Sequence, residues 1–126
     1  MAAAIARDEI IRAGYARIEV SSAGIAALRG AGATPDAAIV AEENGLSLAD
    51  HRARQLTSGL LTTIDLVIGM QHQHAEYARR FGARQATTLS SPIRDPYGLG
   101  VNAYRETWAL LSALIPVLFA PSSTLP

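Results

Sequence analysis

The sequence contains no cysteine. That excludes disulfides, thiolate metal sites and thiol catalysis by the chain as written. It also lacks net charge: eleven Lys and Arg balance eleven Asp and Glu. Nucleic acid and anionic membrane therefore gain no general electrostatic attraction, and neither is an expected partner. No apolar run approaches the roughly 20 residues that span a bilayer. The start, Met1-Ala2-Ala3-Ala4-Ile5, offers only Arg7 before Asp8 and Glu9, unlike the charged start and apolar centre of a secretion signal. A cytoplasmic protein is the default expectation. Hydrophobic residues make up 49% and charged residues 17%, the balance of a globular chain rather than a disordered one. Its 126 residues suit one domain, expected over 1–118, with a tail over 119–126 that is frayed from Ala120.

What is present alternates between helix and strand signals. Met1 to Arg12 reads as an alanine-rich helix with Gly14 as its stop, but no Ser, Thr, Asp or Asn precedes Ala2 to cap it. Arg17-Ile18-Glu19-Val20-Ser21 alternates and predicts a short strand. Pro35 to Glu43 predicts a helix with an early proline, Asp36 near its positive end and Asn44-Gly45 as its stop. Leu46 to Gln55 predicts an extended connection, and Thr57 caps a short helix to about Thr63. Asp65 to Met70 is a near-continuous apolar run, the pattern of a strand buried on both faces. Gln71 to Phe81 predicts a helix closed by Gly82, and Thr87 to Leu89 a weak strand. Ser90 to Gly100 is a loop. Val101 to Ile115 is the clearest helix: Val101, Tyr104, Trp108, Leu111 and Ile115 form one stripe, widened by Leu110 and Leu114, and Pro116 ends it. This order predicts an α/β domain of three layers, with parallel strands between helices.

The polar motifs are individually ambiguous. Asp95-Pro96-Tyr97-Gly98 follows the last expected strand, where ligands bind in open parallel sheets. Pro96 holds Asp95 out of the helical region and directs its carboxylate; Tyr97 offers an aromatic wall. Taken alone, the tetrad reads as a turn opening the last helix. His51-Arg52-Ala53-Arg54-Gln55-Leu56-Thr57 brings two arginines that suit phosphate, yet alone it reads as a solvated loop. His72 and His74 stand two apart on a predicted helix and face different ways, so no metal site is expected. Ser21-Ser22 lacks the G-x-S-x-G turn of a serine hydrolase.

In combination the motifs are more specific. Ser21-Ser22-Ala23-Gly24, Pro35-Asp36, Gly45-Leu46-Ser47-Leu48, the His51–Thr57 segment, Asp65-Leu66-Val67-Ile68 with Met70, and Asp95-Pro96-Tyr97-Gly98 follow in an order that resembles the low-molecular-weight protein tyrosine phosphatases over about Met1 to Ile115. Ile25 stands where that family often has threonine. The resemblance implies hydrolysis of phosphotyrosine or a small aryl phosphate, without metal or organic cofactor. It implies a low-pKa cysteine in a C-x-x-x-x-x-R loop that attacks phosphorus, at a helix N-terminus that cradles phosphate. It makes Asp95 the catalytic acid that protonates the leaving phenol and then activates water. Tyr97 becomes a substrate-binding residue beside the ring, and His51 and Arg54 become supports of fold and loops.

In that family the cysteine loop precedes a methionine-alanine that Met1-Ala2 fits. The first, central strand and the phosphate loop are thus expected to be missing from the sequence, along with the natural cap of the first helix. A buried strand of about five residues contributes on the order of 10 kcal/mol. Three accounts follow, in order of preference: a start assigned to an internal methionine; a catalytically dead relative; or a binding and assembly module that fills the gap with a strand from a partner or a second copy, a homodimer in the last case. For the polypeptide 1–126 the expectation is no phosphatase activity. An arsenate reductase of the same fold would need several cysteines.

Overall fold

The first helix, α1, spans Ala2–Ala13, and Met1 makes no side-chain cap. Gly14 closes it at φ 77°, a left-handed conformation that glycine adopts without a Cβ penalty. The computed structural model describes residues 1–119; of the tail expected over 119–126, residues 120–126 lie outside the described residues. Helix α2 runs Pro35–Glu43, with the Thr34 side chain accepting from the Ala37 N–H. The short α3, Ser58–Leu61, is capped by Thr57, whose hydroxyl accepts from the Leu60 N–H at 3.1 Å. Strand β1, Val67–Gly69, pairs in parallel with β2, Ala86–Thr88, across α4, His72–Arg80. Helix α5 occupies Val101–Leu114, and Pro116–Phe119 continues as a 3-10 turn.

The alternation of side chains along β1 builds the layers. Ile68 and Met70 face the main core, which joins Ile5 of α1, Val40 and Ala41 of α2, Leu89, Ile93, and the α5 stripe of Tyr104, Trp108 and Leu111 with Ile115. On the opposite face α4 packs against both strands and buries Ala75 and Ala78. Close approach there depends on Gly69: a Cβ at that position would stand 3.0 Å from the Ala75 nitrogen, the Gln71 oxygen and the His74 Cβ. Helices on both faces of a parallel sheet make this the expected three-layer α/β architecture.

Three expectations need correction. Residues 17–21 form no strand. Their ladder bonds have no neighbour, and the Val20 carbonyl is instead taken by the Arg7 guanidinium, at 2.9 and 3.2 Å. Pairing appears four residues later, as a single parallel bridge between Gly24 and Gln55. There the Gly24 N–H donates to Arg54 O and the Leu56 N–H to Gly24 O, both at 2.8 Å. The second correction concerns the apolar run at 65–70. It is shorter as a strand, and Val67 and Ile68 are only half-buried. Among the described residues its ladder has one neighbour, β2, and a strand needs cover on two edges as well as two faces to be fully enclosed. Third, Leu110 faces solvent instead of widening the α5 stripe, since α2, α1 and the 3-10 turn already cover the helix on its other side.

Candidate functional site

The acid loop is built from β1 outward. Just beyond the strand, the Met70 carbonyl accepts the Ile93 N–H at 2.8 Å. The next side chain, Gln71, donates from Nε2 to the Ile93 carbonyl at 3.0 Å. Both backbone groups of Ile93 are thereby fixed, and its side chain is buried in the main core. Two residues on, Asp95 is exposed and its Oδ1 accepts the Tyr97 N–H at 3.0 Å. This is an Asx turn, the local geometry that aspartate favours. Pro96 is buried beneath it, while the Tyr97 ring is 69% exposed. Gly98 turns the chain away at φ 77°. The tetrad thus brings Asp95 and Tyr97 together at the end of the loop that follows β2, with a buried proline as footing. Asp95 Oδ2 has no protein hydrogen-bond partner among the described residues.

The 51–57 segment does different work. Arg54 Nε donates to Ser22 O at 3.2 Å. Gln55 accepts the Ala27 N–H at 3.0 Å and donates to Ile25 O at 2.9 Å. Together these bonds staple the 22–27 loop to the 54–56 backbone. Arg52 turns back onto the carbonyls of Ala49 and His51. Nearby, burial holds His51 below its ordinary pKa, and the Met1 ammonium, Arg52 and Arg7 add to the effect. The Met1 ammonium is itself lowered, first by burial and then by Arg7. Positive groups therefore gather around His51 at the start of α1. Among the described residues, no hydrogen bond or ion pair joins Asp95 to His51, Arg52 or Arg54. A shallow groove of about 390 Å3 lies alongside, between α1 and the 18–20 segment, and Arg7, Ile10, Ile18 and Val20 help to line it.

The histidines of α4 do not converge. His72 lies 3.5 Å from Glu76 on the solvent side, whereas His74 Nδ1 accepts the Gln71 N–H at 3.1 Å. Gln71 is the residue that sequence reasoning missed, since it reads there only as the first residue of a helix. The available signal was its place: a polar side chain at the carboxyl end of a parallel strand, where such sheets assemble their sites.

The comparisons identify the family. The family model described as low molecular weight phosphotyrosine protein phosphatase matches residues 1–123, and the chain belongs to that family. The low molecular weight protein-tyrosine-phosphatase Wzb of Escherichia coli K12 is 39% identical over 116 residues, 86% of this chain and 76% of that protein. The probable phosphatase AmsI of Erwinia amylovora is 31% identical over 112 residues, 82% of this chain and 78% of that protein. Among solved structures, Wzb of E. coli K30 in complex with sulphate superposes with a TM-score of 0.82 at 30% identity, covering 92% of this chain and 83% of that one. A mutant of the YwlE arginine phosphatase with a phosphorylated active site serine superposes at 0.85 and 30% identity, covering 96% and 88%. No helix among the described residues is long and apolar enough to cross a membrane.

Proposed function

We propose that the fold displays the acid arm of an aryl-phosphate monoesterase, with Asp95 as proton donor and Tyr97 beside the substrate ring. The observation that carries this reading is the anchored loop. Asp95 sits between the buried Ile93 and the buried Pro96, exposed, with Oδ2 unengaged among the described residues. In the family's reaction a cysteine thiolate attacks phosphorus, and the aryl oxygen leaves with the proton of the aspartic acid. The resulting carboxylate then takes a proton from the water that splits the phosphorus–sulfur bond, and the thiolate is restored. Both steps ask for one carboxyl group that is held in place and open to the substrate.

The polypeptide 1–126 contains no cysteine, so it forms no cysteinyl-phosphate by itself. Purified 1–126 is expected not to turn over p-nitrophenyl phosphate. Turnover that Asp95→Asn abolishes would sink this expectation. A synthetic peptide carrying a hydrophobic strand and a C-x-x-x-x-x-R loop, supplied in trans, tests the acid assignment directly. It is expected to confer hydrolysis that Asp95→Asn lowers by about 10²–10⁴-fold; equal rates for the two proteins would reject Asp95. The aryl preference rests on Tyr97, whose exposed ring suits a flat leaving group. The arginine phosphatase among the relatives makes phosphoarginine the competing substrate, and a higher kcat/KM for it in the same assay would overturn the aryl reading. A cytoplasmic placement belongs to the same proposal.

One observation favours a second reading. With β2 as the single ladder neighbour of β1 among the described residues and no strand at 17–21, the chain would act as a binding or assembly module that accepts a strand from a partner or a second copy. A strictly monomeric mass at high concentration by light scattering would remove the second-copy form of that reading.

A further inference from the structure

We propose that Gln71 is a positioning residue for Asp95, fixing the acid loop to the end of β1 through its side-chain amide. The inference rests on the Asp95 reading above and adds to it the device that aims the carboxyl group. Gln71 lies at the junction of three elements. Its backbone N–H donates to His74 Nδ1, at 3.1 Å, and its carbonyl accepts the His74 N–H, at 3.0 Å. These bonds lock the residue to the first turn of α4. Its Oε1 accepts from Gln73 Nε2, which leaves Nε2 oriented toward Ile93 O, 3.0 Å away. A side-chain amide can both accept and donate, so Gln71 satisfies two partners in fixed directions.

The effect on Asp95 follows from the geometry of Ile93. The Ile93 N–H donates to Met70 O and fixes the peptide before Ile93; alone, that bond would leave the next peptide, Ile93–Arg94, free to turn. The second bond, donated by Gln71 to the Ile93 carbonyl, holds that next peptide as well. Only Arg94, exposed, stands between the fixed peptide and Asp95. The carboxylate is then held from the other side by the Tyr97 N–H and the buried Pro96. Gln71 touches neither substrate nor reacting atoms in this account; it limits where the acid can be. A glutamine at this place supplies a long side chain with a donor, in addition to its place as the N-cap of α4.

Amide hydrogen exchange of 1–126, followed by NMR without substrate, tests the idea. Gln71→Met keeps length and bulk but has no donor. It is expected to speed exchange at the Ile93 and Tyr97 amides about fivefold, the effect of one hydrogen bond. The Tyr97 amide resonance should move toward its unstructured position, while Tyr104, Trp108 and Leu111 of α5 exchange as before. Gln71→Asn, one methylene too short, should reproduce the pattern and serves if the methionine variant does not fold. Unchanged exchange at Ile93 and Tyr97 would overturn the proposal. So would equal acceleration in α5, since Gln71 would then support only general stability. Because no turnover is measured, a failed acid assignment and a failed positioning role give separate results.

Discussion

Two stretches of this chain carry the pattern of a strand, and only one of them forms one. At Val67–Gly69 the backbone finds β2 in parallel register, α4 on one face and the main core on the other. At 17–21 the pattern of side chains is as regular, but no ladder forms and an arginine takes the Val20 carbonyl. Side-chain alternation sets which face a strand would bury; it supplies no partner for the backbone. Extended structure is a property of pairs. The acid loop belongs to the paired stretch, and its footing is firm for that reason.

The largest test of this contrast is a pair of truncations. Trp108→Ala, in the core that backs the paired stretch and 5% exposed, is expected to cost about 3–5 kcal/mol in urea unfolding. Val20→Ala, in the unpaired stretch, should cost less than about 0.5 kcal/mol. Equal costs would erase the distinction. A smaller effect probes the packing beneath the loop. Gly69→Ala places a Cβ 3.0 Å from backbone atoms of α4's first turn and is expected to cost about 1–3 kcal/mol; a neutral result would show that α4 shifts freely on β1. Next comes Thr34→Ala, which removes the α2 cap and the hydroxyl that donates to the Tyr104 oxygen at 3.1 Å. About 1 kcal/mol should be lost.

The smallest effect is on pH dependence. His51 is lowered from 6.5 in the folded chain, by burial first and then by the Met1 ammonium, Arg52 and Arg7. Above 6.5 it is neutral in both states and adds no penalty. As pH falls below that value the unfolded chain takes up the proton first, so stability is lost from there down through the folded value. His51→Gln should flatten this decline in urea midpoints as pH falls below 6.5. An identical decline in the variant would assign the loss to other groups.

Much of the frame was legible in the residues. Pro35 set the start of α2, Thr57 set α3, and the stripe of Tyr104, Trp108 and Leu111 oriented α5, because caps and periodicity act within one element. The aspartate–proline turn was legible for the same reason: the Asx bond to the Tyr97 N–H spans two residues. Gln71 was not legible. Its partner is 22 residues away, and only the placement of the 90–98 loop against the end of β1 gives its amide something to hold. The unpaired 17–21 stretch failed for the complementary reason, since pattern carries no information on whether a neighbour is there. His51 lay between these cases. Its segment was visible, but its positive surroundings depend on how α1 begins beside it.

The two bonds from Met70 and Gln71 to Ile93 have one more consequence. They tie Asp95 to the sheet's register and not merely to its loop. If β1 slipped by one residue along β2, its side chains would turn to the opposite face and the bonds to Ile93 would be lost. A loop of this kind tolerates changes in its own exposed residues, such as Arg94 and Leu99, more readily than changes in the strand beneath it. On the role proposed for Asp95, its aim is set one layer below the surface.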